Sequence, residues 1–596
     1  MAVRPQRGSI FHLIMIKPSH YGDDGYPIQW LRSAIPSNTL ACLNGIAEDC
    51  AARNVLGEGV ELRVEAYDET NRLVRPARIM RQIERDGGKA LIAMIGVQSN
   101  QYPRALDLAR PFREKGFPVC IGGFHVSGCI SMLDDLHVTL QEAQALGISL
   151  FAGEAEDGRL DEVLRDAYQG ELKPLYNHMK DLPDLANQPI PMLPLDHIRR
   201  YAGSTSSVDL GRGCPFQCSF CTIINVQGRK SRFRTVDDLE LIIRQNAEQG
   251  IHRFLITDDN FARNRNWEGF FDRMIWLRES EGLRISLTIQ VDTLCHKIDR
   301  FIDKAKRAGV NRAFIGLENI NPDSLIGAKK RQNKITDYRR MLQDWKRAGV
   351  ITYAGYIIGF PNDTKETIRR DIEIIKRELP IDILEFFILT PLPGSEDHKV
   401  LYNKGVWMDP DMNKYDTNHV VTEHPLMSKA ELEEAYRDAW LWFFTPQHME
   451  TVMRRAAACG VSAGKVMFMM LWFFFSIRHA RVHPLDGGYF RLRFRKDRRP
   501  GVARETMLRF YPRYLFDIVH NHFWMGYWLL RMGIVRQRLR YDKSVPHYTD
   551  LSLTAPQEDE YDDLALFGAT RGGQAAVAKR LKEDTARQAL HAMAVL

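Results

Sequence analysis

The chain has 596 residues, 44% of them hydrophobic and 26% charged, and carries a formal net charge of +7. This length and composition exclude a disordered chain and a single small core, and predict two to four domains. The start, Met-Ala-Val-Arg-Pro-Gln-Arg, lacks a leader pattern, and the nine cysteines do not form a disulfide framework, so a reducing cytoplasm is expected.

Residues 1–171 alternate two periods. Apolar runs at Ile10–Ile16, Val60–Ala66, Ala90–Val97, Val119–Ile121 and Ser149–Ala152 predict strands. Leu40–Arg53, Ala77–Arg85 and Gln101–Lys115 predict helices between them. Such alternation specifies an α/β domain with an open, parallel, Rossmann-like (flavodoxin-like) sheet, whose ligand lies beyond the carboxyl ends of the strands. Five prolines mark 172–205 as a linker.

In 206–410 strands are expected at Ser207–Leu210, Arg253–Thr257, Ile285–Val291, Arg312–Leu317, Thr352–Ile358 and Ile383–Leu389, with helices between. Six strands are too few for a closed eight-stranded barrel and suit a partial (β/α)6, TIM-like one. Residues 411–550 read as helical, opening at Ser428 with Glu431 in capping-box position. The apolar run Val466–Ile477 spans about 18 Å as a helix, too short for a bilayer core of about 30 Å, so it reads as a core or an interfacial helix. Between Arg478 and Arg540, 15 Lys/Arg face 4 Asp/Glu, and Phe523–Leu530 is rich in aromatics. This combination suits phosphates or a membrane headgroup region, against the simpler reading of a solvated basic face. Residues 551–596, with Glu558-Asp-Glu-Tyr-Asp-Asp563, are expected to be a disordered tail with a short helix near Ala575–Leu590.

The chemistry is concentrated in Gly211-Arg-Gly-Cys-Pro-Phe-Gln-Cys-Ser-Phe-Cys221. Thiolates are soft ligands suited to iron–sulfur clusters, whereas structural zinc closes with four ligands and no second pair follows here. The C-x3-C-x2-C spacing of Cys214, Cys218 and Cys221, with Phe220 before the last, resembles the cluster loop of the radical S-adenosylmethionine (SAM) superfamily. The resemblance implies a 4Fe-4S cluster on these three cysteines, with one iron left to chelate SAM for cleavage to a 5′-deoxyadenosyl radical. Further strand ends match the superfamily order. They are Ile256-Thr-Asp-Asp-Asn260, Gln290 with Asp292, Ile315-Gly-Leu-Glu318, Tyr356-Ile-Ile-Gly-Phe-Pro361 and Thr390-Pro-Leu-Pro-Gly-Ser395. They imply SAM contacts at Phe220, Asp258, Asp259, Gln290, Glu318 and Gly359.

The first domain resembles the cobalamin-binding domain of one branch of that superfamily through Gly122-Gly-Phe-His-Val-Ser127 and Gly153-Glu-Ala-Glu156. Cobalamin contacts are thereby implied at Gly122, Gly123, His125, Ser127, Gly153 and Glu154. The D-x-H-x-x-G cobalt-ligand motif is absent, and His20 and His125 are poor cobalt ligands. The branch implies a radical enzyme that methylates an unactivated carbon of a small molecule. A lipid-like substrate, a flavodoxin or ferredoxin as reductant and peripheral membrane contact are its expected partners; nucleic acid is not. The alternatives are a cobalamin-dependent cyclase or oxidase without net methylation and, from another class, a non-catalytic cobalamin sensor. A methylthiotransferase is disfavoured, because Cys42, Cys50, Cys120 and Cys129 do not sit where its second cluster requires.

Overall fold

The computed structural model of the chain describes residues 9–554 and 564–595, with side chains to residue 586. The strands of the first part are β1 (Ser9–Lys17), β2 (Gln29–Ser33), β3 (Val60–Asp68), β4 (Ala90–Met94), β5 (Val119–Gly122), β6 (Ser149–Ala152) and β7 (Leu175–Asn177). Six of them form one parallel sheet in the order β3-β1-β4-β5-β6-β7. The chain leaves β1 toward β3 and returns to β4 on the other side. The loops after β1 and β4 therefore flank a switch point, where open α/β sheets bind ligands. β7 lies inside the segment expected to be a linker; its three residues are too few for a periodic signal.

The second part contributes β8 (Thr205–Val208), β9 (Gly211–Arg212), β10 (Arg232–Phe233), β11 (Arg253–Ile256), β12 (Ser286–Val291), β13 (Val310–Glu318), β14 (Ile351–Ile358), β15 (Ile383–Ile388) and β16 (Gly488–Leu492). Strands β8 and β11 to β15 pair in parallel, each beside its successor, giving the six-stranded open sheet of a partial barrel. Crossover helices start at built caps. Thr235 and Asp238 form a capping box for Val236–Glu248, and Ser428 and Glu431 form the expected one for Lys429–Phe443.

The C-terminal region is helical but does more than extend the barrel. β16 pairs antiparallel with β2, joining residues more than 450 positions apart. A Cβ at Gly488 would lie 2.1 Å from the Trp30 ring, so glycine is required for the close approach. Trp30 Nε1 donates to the Asp486 carbonyl at 2.8 Å. The apolar run at 466–477 forms a core helix, Ala463–Phe475, with Phe473 against Trp440 and Phe444. Phe523–Leu530 is one stretch of a single 35-residue helix, Met507–Tyr541. The tail expected to be disordered is helical at Ala565–Gly568 and Arg571–Val595, and Leu566 and Phe567 are buried in the main core. The acidic run at 558–563 lies outside the described residues. Among the described residues no helix is long and apolar enough to cross a membrane.

Candidate active site between the two sheets

The cysteine loop leaves β9 through Gly213, where φ is +89° and a Cβ would lie 2.6 Å from the Lys230 carbonyl oxygen, so glycine is required. Cys214 N donates to Gly228 O at 3.2 Å and Cys221 N to Cys218 O at 3.1 Å. Ser219 N donates to Ala328 O, and Asp397 N to Ser219 O, fastening the loop to the barrel rim. Cys218 is buried, and all nine cysteines are free thiols. Burial, then Cys218 and Asp259, pushes the Cys221 thiol up to about 12; burial also raises Cys214. Lys330 keeps its charge against burial because Glu318 and Cys218 surround it, with Glu318 Oε1 2.6 Å from its Nζ. Gln332 Nε2 donates to Cys218 Sγ at 3.5 Å. This donor set fits an iron–sulfur cluster. Three soft sulfurs share one loop, an ammonium and an amide stand ready to stabilise negative sulfur, and the raised Cys214 and Cys221 thiols keep their protons until a metal displaces them.

The barrel-rim residues divide. Phe220 packs with Ala328, Ile357 and Phe360 in an apolar cluster beside the cysteines. Gln290 is half-buried, and Asp259 is raised to about 7 by burial first and Asp209 second. Glu318 takes a left-handed φ of +63° and pairs with Lys330. Gly359, at φ +98°, donates its N–H to Asp363 Oδ2 at 2.9 Å. Asp258 is held by the protein itself. Its Oδ1 accepts from the backbone of Leu210 and Gly211 (3.2 and 3.0 Å), and its Oδ2 accepts from Asn264 at 2.7 Å. It holds the entry to the cysteine loop.

In the first domain two connected cavities open at the carboxyl ends of the strands. One, about 180 Å³, is a slot between the sheet and its helices, lined by Gly122, Gly123, Ser127, Gly153 and Glu154. The other, about 500 Å³, lies at the switch point and is bounded by His20 and Ser99 from the first domain, Thr222 and Ile223 from the cysteine loop, and His483 and Asp486. Asn38, Thr39, Gly96 and Phe124 line both. A Cβ at Gly123 would meet Val97 N at 2.1 Å, so this glycine closes the β4 and β5 loops together; Ser127 Oγ accepts from Gly153 N at 3.1 Å. A slot with glycine walls that opens into this gap has the residue set to receive a corrinoid and its nucleotide tail.

His125 and Glu154 are both held by partners within the protein. His125 lines neither cavity. It is wholly buried, with Nδ1 3.1 Å from Ser99 Oγ and Nε2 2.8 Å from Thr139 Oγ1, and burial lowers its pKa to about 3. With both nitrogens engaged it is a neutral loop support. Cys129 and His137 lie close to it, but His137 Nδ1 is on the same Thr139 hydroxyl at 2.8 Å, so hydrogen bonds account for the group. Glu154 spends both oxygens on arginines: Oε2 on Arg212 at 2.6 Å and Oε1 on Arg232 at 2.5 Å. Arg212 also meets Glu156 at 2.7 Å and Asp209 at 2.8 Å, so this buried cation ties the cysteine loop to the first domain. Across the same boundary a Cβ on Gly128 would sit 2.4 Å from Pro393 O.

Sequence reasoning missed Arg212 and Lys330. It also missed an acid inside the barrel, Glu385 on β15, which is fully buried with neither oxygen hydrogen-bonded. His483 Nε2 lies 3.8 Å from its Oε1, and His20 Nε2 lies 3.3 Å from Asp486 Oδ2. Burial first, then Asp486, raises Glu385 from its ordinary 4.5 to about 8. Folding therefore favours the protonated form. That contribution is complete below the unfolded pKa and is lost as pH rises through the folded one. Wild-type protein should lose several degrees of Tm between about pH 5 and pH 8, and Glu385→Gln should flatten this slope. Parallel Tm curves for the two proteins would refute the assignment.

A three-thiol loop at the rim of a six-stranded parallel barrel defines a radical SAM domain. Residues 208–375 match the Radical SAM superfamily model, and this part of the chain is a radical SAM domain. Among its relatives, bacteriochlorophyllide d C-8(2)-methyltransferase of Chlorobaculum tepidum is 27% identical over 59% of this chain and 78% of its own length. Hopanoid C-2 methylase of Rhodopseudomonas palustris is 24% identical over 48% of this chain and 53% of its own. The structure of the radical SAM methyltransferase TsrM from Kitasatospora setae with cobalamin and a [4Fe-4S] cluster bound superposes with a TM-score of 0.56. It is 14% identical and covers 89% of this chain and 99% of TsrM, so the fold is shared across both sheets.

Proposed function

We propose that this chain is a cobalamin-dependent radical SAM enzyme that methylates an unactivated carbon of a lipid-like small molecule reached at a membrane surface. One observation carries the reading. Thr222 and Ile223, which directly follow Cys221, share a cavity of about 500 Å³ with the switch-point loops of the first domain. The thiol side and the corrinoid side thus face one gap.

In this reading Cys214, Cys218 and Cys221 hold the cluster. Phe220, Asp259, Gln290, Glu318 and Gly359 surround SAM, while Gly122, Gly123, Ser127 and Gly153 receive the corrinoid. Residues 1–171, 206–410 and 411–550 are then the corrinoid, radical and substrate-facing parts. When bound, the cluster and cobalamin supply an electron to SAM and a methyl group to carbon. In the net reaction R–H, two SAM and two electrons give R–CH3, methionine, 5′-deoxyadenosine and S-adenosylhomocysteine. The electrons come from an external flavodoxin- or ferredoxin-type reductant. The apolar cluster around Phe220 excludes water from the gap, and Lys330 steadies charge on sulfur.

The test is anaerobic reconstitution with iron, sulfide and cobalamin, then incubation with methyl-deuterated SAM, a reductant and host lipid extract. Expected are 5′-deoxyadenosine and a deuterated methyl group in the lipid fraction. Absence of 5′-deoxyadenosine would defeat the radical reading; its formation with no labelled product in any fraction would defeat methylation.

A further inference from the structure

The helix Met507–Tyr541 buries one side only. Phe510, Met532, Val535 and Leu539 are its buried residues. On the opposite side, at four- and seven-residue steps, Leu508, Leu515, Val519, Phe523, Leu530 and Ile534 are all more than half exposed, with Leu508 at 89%. At 1.5 Å per residue the stripe is about 39 Å long. Monomeric soluble proteins rarely leave so long an apolar surface in water. The helix holds six arginines against one acidic residue, Asp517. Asp517 is taken by Arg493, whereas Arg509, Arg531, Arg536, Arg538 and Arg540 make no ion pair among the described residues.

We propose that this face docks the enzyme onto an anionic lipid bilayer, the helix lying in the interface with its stripe among the acyl chains and its arginines at the headgroups. A large apolar face with basic borders is the composition of interfacial helices, and among the described residues no helix is long and apolar enough to span instead. Charge decides between occupants: the arginine borders fit lipid phosphates and would repel a second copy of the same helix. The helix is linked to the gap through β16. Phe490, on β16, packs 5.7 Å from His522 on this helix, while Asp486 and Gly487, just before β16, line the 500 Å³ cavity. This inference rests on the proposed lipid-like substrate and names where it is collected.

The reconstituted full-length protein is incubated with vesicles of phosphatidylcholine, with and without phosphatidylglycerol, and floated on a gradient. Binding to the anionic vesicles is expected. Leu515→Glu/Val519→Glu/Phe523→Glu should weaken it by about tenfold or more, and each of Arg531→Gln and Arg538→Gln by about fivefold. The side chains changed in the triple variant are exposed, so its 5′-deoxyadenosine formation in detergent-free buffer should stay at the wild-type level. Wild-type protein that cleaves SAM yet ignores anionic vesicles would overturn this docking and leave the chemistry standing. Light scattering that shows a dimer dissolved by the triple substitution would overturn it too, as a protein interface.

Discussion

Cys218→Ala is expected to reduce 5′-deoxyadenosine formation from SAM to the uncatalysed background. Bound iron should fall from about four per chain toward zero. Cys218 is the buried member of the trio and the one that accepts from Gln332, so its loss removes the innermost sulfur and orphans an amide. The apolar neighbours of the loop are untouched, and the thermal midpoint of the unreconstituted protein should change little. Retained SAM cleavage in this variant would mean that the cysteines are merely small buried side chains. Gln332→Leu separates the two possibilities further: it should keep iron while shifting the reduction potential of the cluster.

Arg212→Met should be the most destabilising single change at the domain boundary, by about 3–5 kcal/mol, because it leaves buried Glu154, Glu156 and Asp209 facing one another without their shared cation. Burial alone would raise the Asp209 and Glu156 pKa values, yet Arg212 outweighs it and holds both below the ordinary range. The stability they lend is present above the unfolded carboxylate pKa and is lost as pH falls through the folded values. The variant should lose this acid-side dependence, release cobalamin on gel filtration and become open to proteases in 172–205. Adding Glu154→Gln and Glu156→Gln to it should restore part of the loss, since fewer uncompensated charges remain. A denaturant midpoint equal to that of wild type would exclude the bridge.

Both sheets were legible because parallel strands buried on two faces read as continuous apolar runs, as in Leu13–Ile16 and Ala354–Ile358. β2, Gln-Trp-Leu-Arg-Ser, was not: an edge strand paired with a segment far along the chain has no local signal. Gly526 and Gly533 hid the continuity of the long helix by breaking its period. At the site, the cysteines and glycine loops stood out because their chemistry or conformation is rare. Asp258 did not, since a polar residue at a strand end looks the same whether it meets a ligand or ties down a backbone turn. Glu385 was hidden within Ile-Leu-Glu-Phe-Phe-Ile, where one acid in an apolar strand gives no hint of which way it points.

The β2–β16 pairing carries a temporal consequence. At the usual ribosomal pace of about 5–20 residues per second, Gln29–Ser33 must wait roughly 20–90 s for Gly488–Leu492 to be synthesised. His483, Asp486 and Gly487 arrive with that strand and are the last wall of the central cavity. Throughout translation of everything before them, the chamber stands ajar on that side, which gives a bulky prosthetic group its widest doorway before the polypeptide is finished.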